Sequence, residues 1–529
     1  MLKIDQLKLR ADENQNLLEA TILKKLHLNQ RQLLSYKILK RSLDARDKKC
    51  LFYIYSLVIE VSDEHYVLSQ HHQYIHVYNP PLIPQIKPGI VELKEPVVIV
   101  GMGPAGLFCA LKLVRYGYPI ILLERGKAIK ERSQDVNRFF TQAILDEDSN
   151  IQFGEGGAGT FSDGKLTARS KDIRVSEVYD TFVEFGADEA IAYEAYPHVG
   201  SDKLKIIIPR ISEEIKRLGG VIVYNERVER LVSEEGKITG VVTQNHTYHS
   251  HNVVLALGNS ARDSFINFYQ QGLHMENKPF AIGLRIEHHQ KMIDNALYHQ
   301  WVKAANLHAA SYRLTHQCDD GRGVYTFCMC PGGSVVAATS AKNQVCVNGM
   351  SEYARDGINA NSALLVQVGS EDYGDQLFDG LKYQETLEKA TFTLGGGNYQ
   401  APVQLVKDFL NDVASEKIGL IKPTYPLGIR LVNLRPLLGE RVSAAISEAL
   451  LDYDHKIAGF AGSDAILTAI ETRTSSPLRI LRNREMESVS LAGVYPCGEG
   501  SGYAGGIVSS AVDGIKVAEK LIEKYHINK

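Results

Sequence analysis

The run Gly101-Met102-Gly103-Pro104-Ala105-Gly106 has the residue types and spacing to cradle a diphosphate. Gly101 permits a tight turn, Gly103 lets backbone approach a pyrophosphate, and Gly106 lets a helix pack closely on a sheet. A helix opening at Pro104 turns its partial positive charge toward the phosphates. Proline suits that first turn because its missing N–H has no partner there. The setting agrees: Val97-Val98-Ile99-Val100 precedes the glycines, and a helical stretch to about Tyr116 follows. Glu124, with Arg125 beside it, stands 23 positions after Gly101 and ends the apolar run Ile120-Ile121-Leu122-Leu123. A carboxylate there can accept both ribose hydroxyls of a dinucleotide. NAD and FAD share this pattern, so the ligand is decided elsewhere.

Three later stretches bear on that choice. Gly493-Val494-Tyr495-Pro496-Cys497-Gly498-Glu499-Gly500 resembles the late motif of the glutathione-reductase-like FAD superfamily, where a strand ends in Gly-Asp and the acid holds the ribityl chain. Glu499 occupies the acid's place with a longer side chain. The resemblance extends to Val254-Leu255-Ala256-Leu257-Gly258, similar to a middle motif in which a strand ends in Ala-x-Gly beside the cofactor. It also extends to Val228, which matches the position that meets adenine through its backbone. Gly505-Gly506-Ile507 opens the last helix, whose amides would face the flavin pyrimidine oxygens. The resemblance implies FAD rather than NAD.

The stretch from Phe153 to Leu166 contains five glycines and includes Gly156, Gly157, Ala158, Gly159, Ser162, Asp163, Gly164 and Lys165. So many glycines mean that backbone runs close against something flat or charged; a mobile surface loop is the other reading. This loop, with Thr472-Arg473-Thr474-Ser475-Ser476-Pro477, Tyr325 to Gly333 and Phe280 to Glu287, is similar to one family over nearly the whole chain. That family is the bacterial FAD-dependent dehydrogenases described as NAD(FAD)-utilising, a name that gives a cofactor and not a reaction. The chain departs from it at Ser340-Ala341-Lys342-Asn343, where an acidic residue would follow the serine.

Residues that could act on a substrate are fewer. Arg473 could hold a carboxylate or phosphate, or anchor a loop. Cys497 lies near the ribityl position, although small-residue packing is the commoner fate of an unpaired cysteine. Arg285 and Glu287 alternate with Ile286 and are expected to form an ordinary ion pair on one strand face. His198 and His288-His289 are expected to be surface or structural. No second Gly-x-Gly-x-x-Gly follows residue 260, and Gly395-Gly396-Gly397 lacks the flanking strand and helix. Cys109 has no partner at Cys-x4-Cys spacing. A disulfide-reductase arrangement with its own NAD(P)H domain is therefore not expected.

The expected fold class is α/β: a Rossmann-type FAD-binding domain with an inserted α+β substrate domain and a small N-terminal α+β module. The divisions read as 1–90, 95–275, 276–440 and 441–529. The first has strands near 2–9, 36–46, 51–61 and 74–78, a helix near 16–28, and a linker at Asn79-Pro80-Pro81-Leu82-Ile83-Pro84 and Pro88-Gly89. Later strands are expected at 221–224, 227–232, 238–243, 253–257 and 490–495, and a last helix at 507–525.

The N-terminal module carries Lys37, Lys40, Arg41, Arg46, Lys48 and Lys49 and a charge of +4, against −3 for the whole chain. This run is either a patch for RNA, a nucleotide or an acidic partner, or a solvated strand face, the commoner case. Seven scattered cysteines include no Cys-x-x-Cys and no zinc spacing, so reduced thiols and no metal are expected. Cys328 and Cys330 are read as facing opposite sides of a strand and unbridged. No stretch is apolar enough to span a bilayer and no signal-peptide pattern opens the chain, so a cytoplasmic location is expected.

The leading expectation is an FAD-dependent oxidoreductase that exchanges a hydride at flavin N5 with a small molecule held by 276–440 and the 472–477 loop. NAD(P)H is left open as a transient electron donor. A flavin enzyme acting on RNA and a non-catalytic FAD sensor are the alternatives.

Overall fold

The structure is a computed structural model that describes residues 1–529 apart from 48, 82–84, 169, 305–306 and 529. Lys48 of the basic run and Leu82-Ile83-Pro84 of the expected linker lie outside the described residues. The fold is mixed α/β, and three sheets organise it.

In the N-terminal module the apolar alternation of the first strand, Leu2–Arg10, slips phase. Leu2 and Ile4 are buried, and so are Leu7 and Leu9. A bulge absorbs the extra residue: Ile4 faces Leu57 and Leu7 faces Tyr55, with Gln6 at φ +57 between them. All four apolar side chains therefore reach one core, closed by Leu18, Ile22 and Leu26 of the helix Leu18–Leu26. The antiparallel sheet runs in the order Leu33–Asp44, Phe52–Val61, Leu2–Arg10, Ile75–Val77.

Arg41 of the basic run turns inward. Its N–H donates to Tyr193 O at 2.7 Å, its carbonyl accepts from Ala195 N at 2.8 Å, and its guanidinium pairs with Glu194. Arg46 pairs with Asp44. Both arginines are thus tied to carboxylates of the chain itself.

The second sheet is parallel and is assembled from distant parts of the chain. Its order is Val494–Pro496, Val253–Leu255, Val97–Val100, Ile120–Leu123, Val221–Val223. Strands buried on both faces read as unbroken Val/Ile/Leu runs, as Val97–Val100 does. One face carries the helices Pro104–Arg115, Ser201–Arg217 and Ile507–Lys524. The other meets the antiparallel strands Val228–Glu234 and Lys237–Thr243. The strand expected at 490–495 begins only at Val494, because Gly493 at φ +81 turns the chain just before it.

The third sheet has seven strands, in the order Thr315–Gln317, Gly323–Cys330, Asn359–Val368, Phe280–His289, Ile466–Glu471, Ala401–Leu405, Ile429–Leu431. The helix Glu440–Lys456 packs on it through Ile446, Leu450 and Tyr453. The unit therefore runs to residue 471, past the division read at 440. The returning strand pairs with Phe280–His289, a partner too distant for local patterning to reveal.

Arg285 and Glu287 on this sheet do not pair with each other. Arg285, fully buried, bonds Glu471 at 2.9 Å and the Asn361 side chain. Glu287 accepts from Thr424 and Asn359. Side chains two apart on a strand run parallel, so each finds its partner across the sheet. By the same rule, regular pairing would put Cys328 and Cys330 on one face. A register shift between Phe327 and Cys330, with Cys328 at φ +40, instead leaves Cys328 exposed and Cys330 buried, both as free thiols. Among the described residues no helix is long and apolar enough to cross a membrane.

Candidate functional site

Four glycine-bearing segments meet at the carboxyl ends of the parallel strands. Gly101, at φ +99, donates its N–H to Leu123 O at 2.8 Å. A Cβ on Gly106 would lie 1.9 Å from Gly101 O, and one on Gly514 would lie 2.0 Å from Ala105 O. These contacts let the helices Pro104–Arg115 and Ile507–Lys524 pack against the turn and against each other.

The 154–159 stretch lies across the same helix N-terminus. Gly156 N donates to Met102 O at 3.0 Å, and a Cβ on Gly157 would lie 2.8 Å from Gly103 Cα. Gly159 abuts Ile507, and Gly498 abuts Ala105. Gly500 approaches the backbone of Leu257 and Gly258. Beside these segments Ala158, Gly258, Gly505 and Gly506 are exposed, and a Cβ on any of those three glycines would meet nothing within 4 Å; this open strip is the candidate trench.

Glu124 ties the trench wall together. Its buried carboxylate accepts from Met102 N at 2.8 Å and from Gly126 N and Gly154 N at 2.9 Å. Arg125 does not face the turn; it stacks on Phe153 at 4.1 Å and pairs with Asp148 and Asp263. Val228 is buried in the core beneath the sheet.

The glycine-rich loop has a support that its own sequence does not announce. Arg132, fully buried, donates to the carbonyls of Asn150 and Ile151 at 2.8 Å and of Glu155 at 2.6 Å. It has no carboxylate within bonding distance among the described residues, and burial pushes it down to about 10. The Glu155 side chain in turn accepts from Ile129 N at 2.7 Å and Ser212 Oγ at 2.5 Å.

The end of that loop turns away from the trench. Asp163 is held by Arg355 at 2.5 Å, Lys165 reaches Met329 O, and Val199 N donates to Gly164 O. Ser162 Oγ closes a local turn with Gly159 O and Gly164 N. His198 beside them stacks on Tyr353 and is pushed down to about 4 by burial, with Arg355 adding to the shift. Buried His288 donates from Nε2 to Phe460 O at 2.8 Å, and burial pushes it down to about 4 as well.

At the far end of the trench, Asn259 donates from Nδ2 to Glu499 Oε1 and to Arg473 O, both at 2.8 Å. Burial pushes the Glu499 carboxyl up to about 7, against the opposing pull of Lys278 and of a Gly506 N–H. Asn259 and Lys278 escaped the sequence reading, although Asn259 directly follows Gly258.

Neither candidate for substrate chemistry is free. Arg473 meets Glu388 through Nε at 2.9 Å and Nη2 at 2.7 Å, and its Nη1 reaches Ser260 and Ser340. Arg262 completes the cluster on Glu388 at 2.8 Å. Arg473 is an anchor between the two large units, and the serine of the divergent 340–343 turn is part of that anchor. Cys497 is fully buried among Cys109, Asp513 and the helix packing, and burial pushes its thiol well up. It lacks both access and thiolate character.

An uncharacterised protein of Clostridium beijerinckii is 46% identical over 531 residues, covering 100% of both chains. The family described as FAD-dependent protein, C-terminal domain-like, matches residues 279–474, and pyridine nucleotide-disulphide oxidoreductase matches 95–290. The chain belongs to a family of FAD-dependent oxidoreductases. A domain of unknown function matches residues 1–60. Among solved structures, the chain overlaps glycine oxidase from Bacillus cereus at 12% identity and a TM-score of 0.32, covering 81% of this chain and 95% of that one. L-Amino acid deaminase from Proteus myxofaciens overlaps at 13% and 0.32, covering 84% and 94%.

Proposed function

We propose that FAD lies in this trench in the manner of the glutathione-reductase-like superfamily. The observation that carries the reading is the convergence of Gly101–Gly106, Gly156–Gly159, Gly258 and Gly505–Gly506 on one open, backbone-lined channel. Glycine at closely packed turns lets the walls approach, and glycine facing open space leaves room for a flat ligand.

The amides at the start of Pro104–Arg115 would hold the diphosphate, with Gly103 and Gly157 close on either side. Three backbone N–H groups already occupy Glu124, so of about four lone-pair positions one remains for a ribose hydroxyl, rather than capacity for two. Glu499 and Asn259 would meet the ribityl chain, and the N-terminus of Ile507–Lys524 would face the flavin ring. Ser162, Asp163, Gly164 and Lys165 would act indirectly, by fixing the loop that covers the channel. Bound FAD supplies the hydride chemistry at N5. The chain supplies orientation, exclusion of water, and a carboxyl at Glu499 that changes charge near neutral pH.

The test is direct. Protein purified with added FAD should be yellow, bind about one flavin per chain, and be reduced anaerobically by NADH, NADPH or a metabolite from a screen. Protein that stays colourless in excess FAD would overturn the assignment.

A further inference from the structure

His316 lies on the edge strand Thr315–Gln317, Cys318 follows it, and Glu448 reaches both from the helix Glu440–Lys456. None belongs to the trench. Their ligand atoms all lie within 4.8 Å of one another. Around a tetrahedral zinc-class ion, with bonds of about 2.0 to 2.3 Å, ligand atoms stand roughly 3.3 to 3.8 Å apart, so side-chain shifts of about an ångström would close the shell.

The histidine ring provides a second, independent observation. Its Nδ1 is 3.1 Å from Asp452 Oδ2 and its Nε2 is 2.7 Å from Glu448 Oε1. Ionised carboxylates only accept, and a neutral imidazole carries one N–H. With Nδ1–H on Asp452, the ring turns its second nitrogen, Nε2, toward Glu448, as a metal-bound histidine with a carboxylate behind it does. The Cys318 sulfur sits beside Glu448 and 3.9 Å from Ala445 O. A divalent cation beside Nε2 engages nitrogen, sulfur and oxygen together.

We propose that His316, Cys318 and Glu448 bind one zinc-class divalent cation, with water completing the shell and Asp452 orienting the histidine through Nδ1. A carboxylate on the other ring nitrogen is the usual partner of a metal-bound histidine. A thiolate with an imidazole selects a borderline-soft ion over Mg²⁺ or Ca²⁺. His316, Glu448 and Asp452 are partly exposed, which gives the ion a way in, and Lys456 holds Asp452 from its other side at 2.5 Å. A thiol binds such an ion as the thiolate, so the Cys318 proton leaves to solvent as the ion binds. The bound ion would fasten the 315–318 edge to the helix that covers the sheet.

Full-length protein with its FAD, freed of metal by a chelator and dialysed, is titrated with Co²⁺ and followed in the red, beyond the flavin bands. One saturating equivalent with tetrahedral cobalt absorption is expected, displaced by Zn²⁺. Cys318→Ser and Glu448→Gln should lose it at unchanged FAD content. Zn²⁺ should raise the thermal midpoint of the wild type and not of Cys318→Ser. The proposal is overturned if the wild type takes up no saturable equivalent, or if Cys318→Ser titrates as the wild type does. Should the variants fail to fold, the wild-type stoichiometry and spectrum decide alone.

Discussion

Arg473 and Glu388 form a two-pronged ion pair at 2.9 and 2.7 Å, both side chains buried where the two large units meet. Arg262 adds a second guanidinium to the same carboxylate. Two cations, Arg473 buried and Arg262 partly so, share one anion, so the carboxylate is the member that cannot be spared.

Glu388→Gln should therefore destabilise the protein by about 3 to 5 kcal/mol, the usual result of stranding a buried charge. Urea unfolding checks this. Despite the cost of burial, Arg262 and then Arg473 hold the Glu388 carboxyl well below the usual carboxylate range. The unfolded state binds the proton more readily, so this contribution is present above about pH 4.5 and is lost as pH falls further toward the folded value. The wild type should show that acid loss of stability and Glu388→Gln should show less of it.

Gly258→Val and Gly505→Val place side chains in open space in the proposed flavin channel. Both variants should fold with far-UV circular dichroism like that of the wild type. FAD affinity should fall by roughly tenfold or more, which corresponds to about 1.4 kcal/mol. Titration of the apoprotein with FAD, followed by flavin fluorescence, reads the change. Undiminished affinity in both would move the flavin elsewhere.

Glu499 changes charge near pH 7 because burial raises it. Above that pH an anion stands in the channel and disfavours added electron density on a nearby flavin. The flavin potential should fall more steeply with pH around neutrality in the wild type than in Glu499→Gln, as dye-linked redox titration would show. The native state also binds the Glu499 proton more tightly than the unfolded chain. Its contribution therefore favours folding less as pH rises from about 4.5 to 7, with the loss complete above the folded value.

Cys497 should remain unlabelled by iodoacetamide in the folded protein and react once urea unfolds it, with mass spectrometry locating the adduct. Cys497→Ala should keep its flavin and its rate of flavin reduction within about twofold, since no accessible thiolate is removed.

Much of the parallel sheet is written locally. Val97–Val100 and Ile120–Leu123 are uninterrupted apolar runs, and the glycine turn follows the first directly. The same holds for the N-terminal strands, apart from the bulge at Gln6, which the phase slip between Ile4 and Leu7 encodes. The closing strand Ile466–Glu471 was not legible as part of the inserted unit, because its partner Phe280–His289 lies far away in the chain. Arg132 was equally hidden. An arginine on an amphipathic helix reads as a solvated charge until the fold sets carbonyls around it.

The glycine turn, Glu124 at the end of the following strand, and the order of the later glycine segments are all legible along the chain. These depend on backbone freedom and on periods of two and 3.6 residues, which neighbours along the chain control. Tertiary structure alone decided which charges are free. It turned Arg473 to Glu388, Arg285 to Glu471 and Asp163 to Arg355, and it brought Glu448 to His316 and Cys318. A buried charge must find a partner, and that partner is chosen by packing in three dimensions, where sequence distance has no weight.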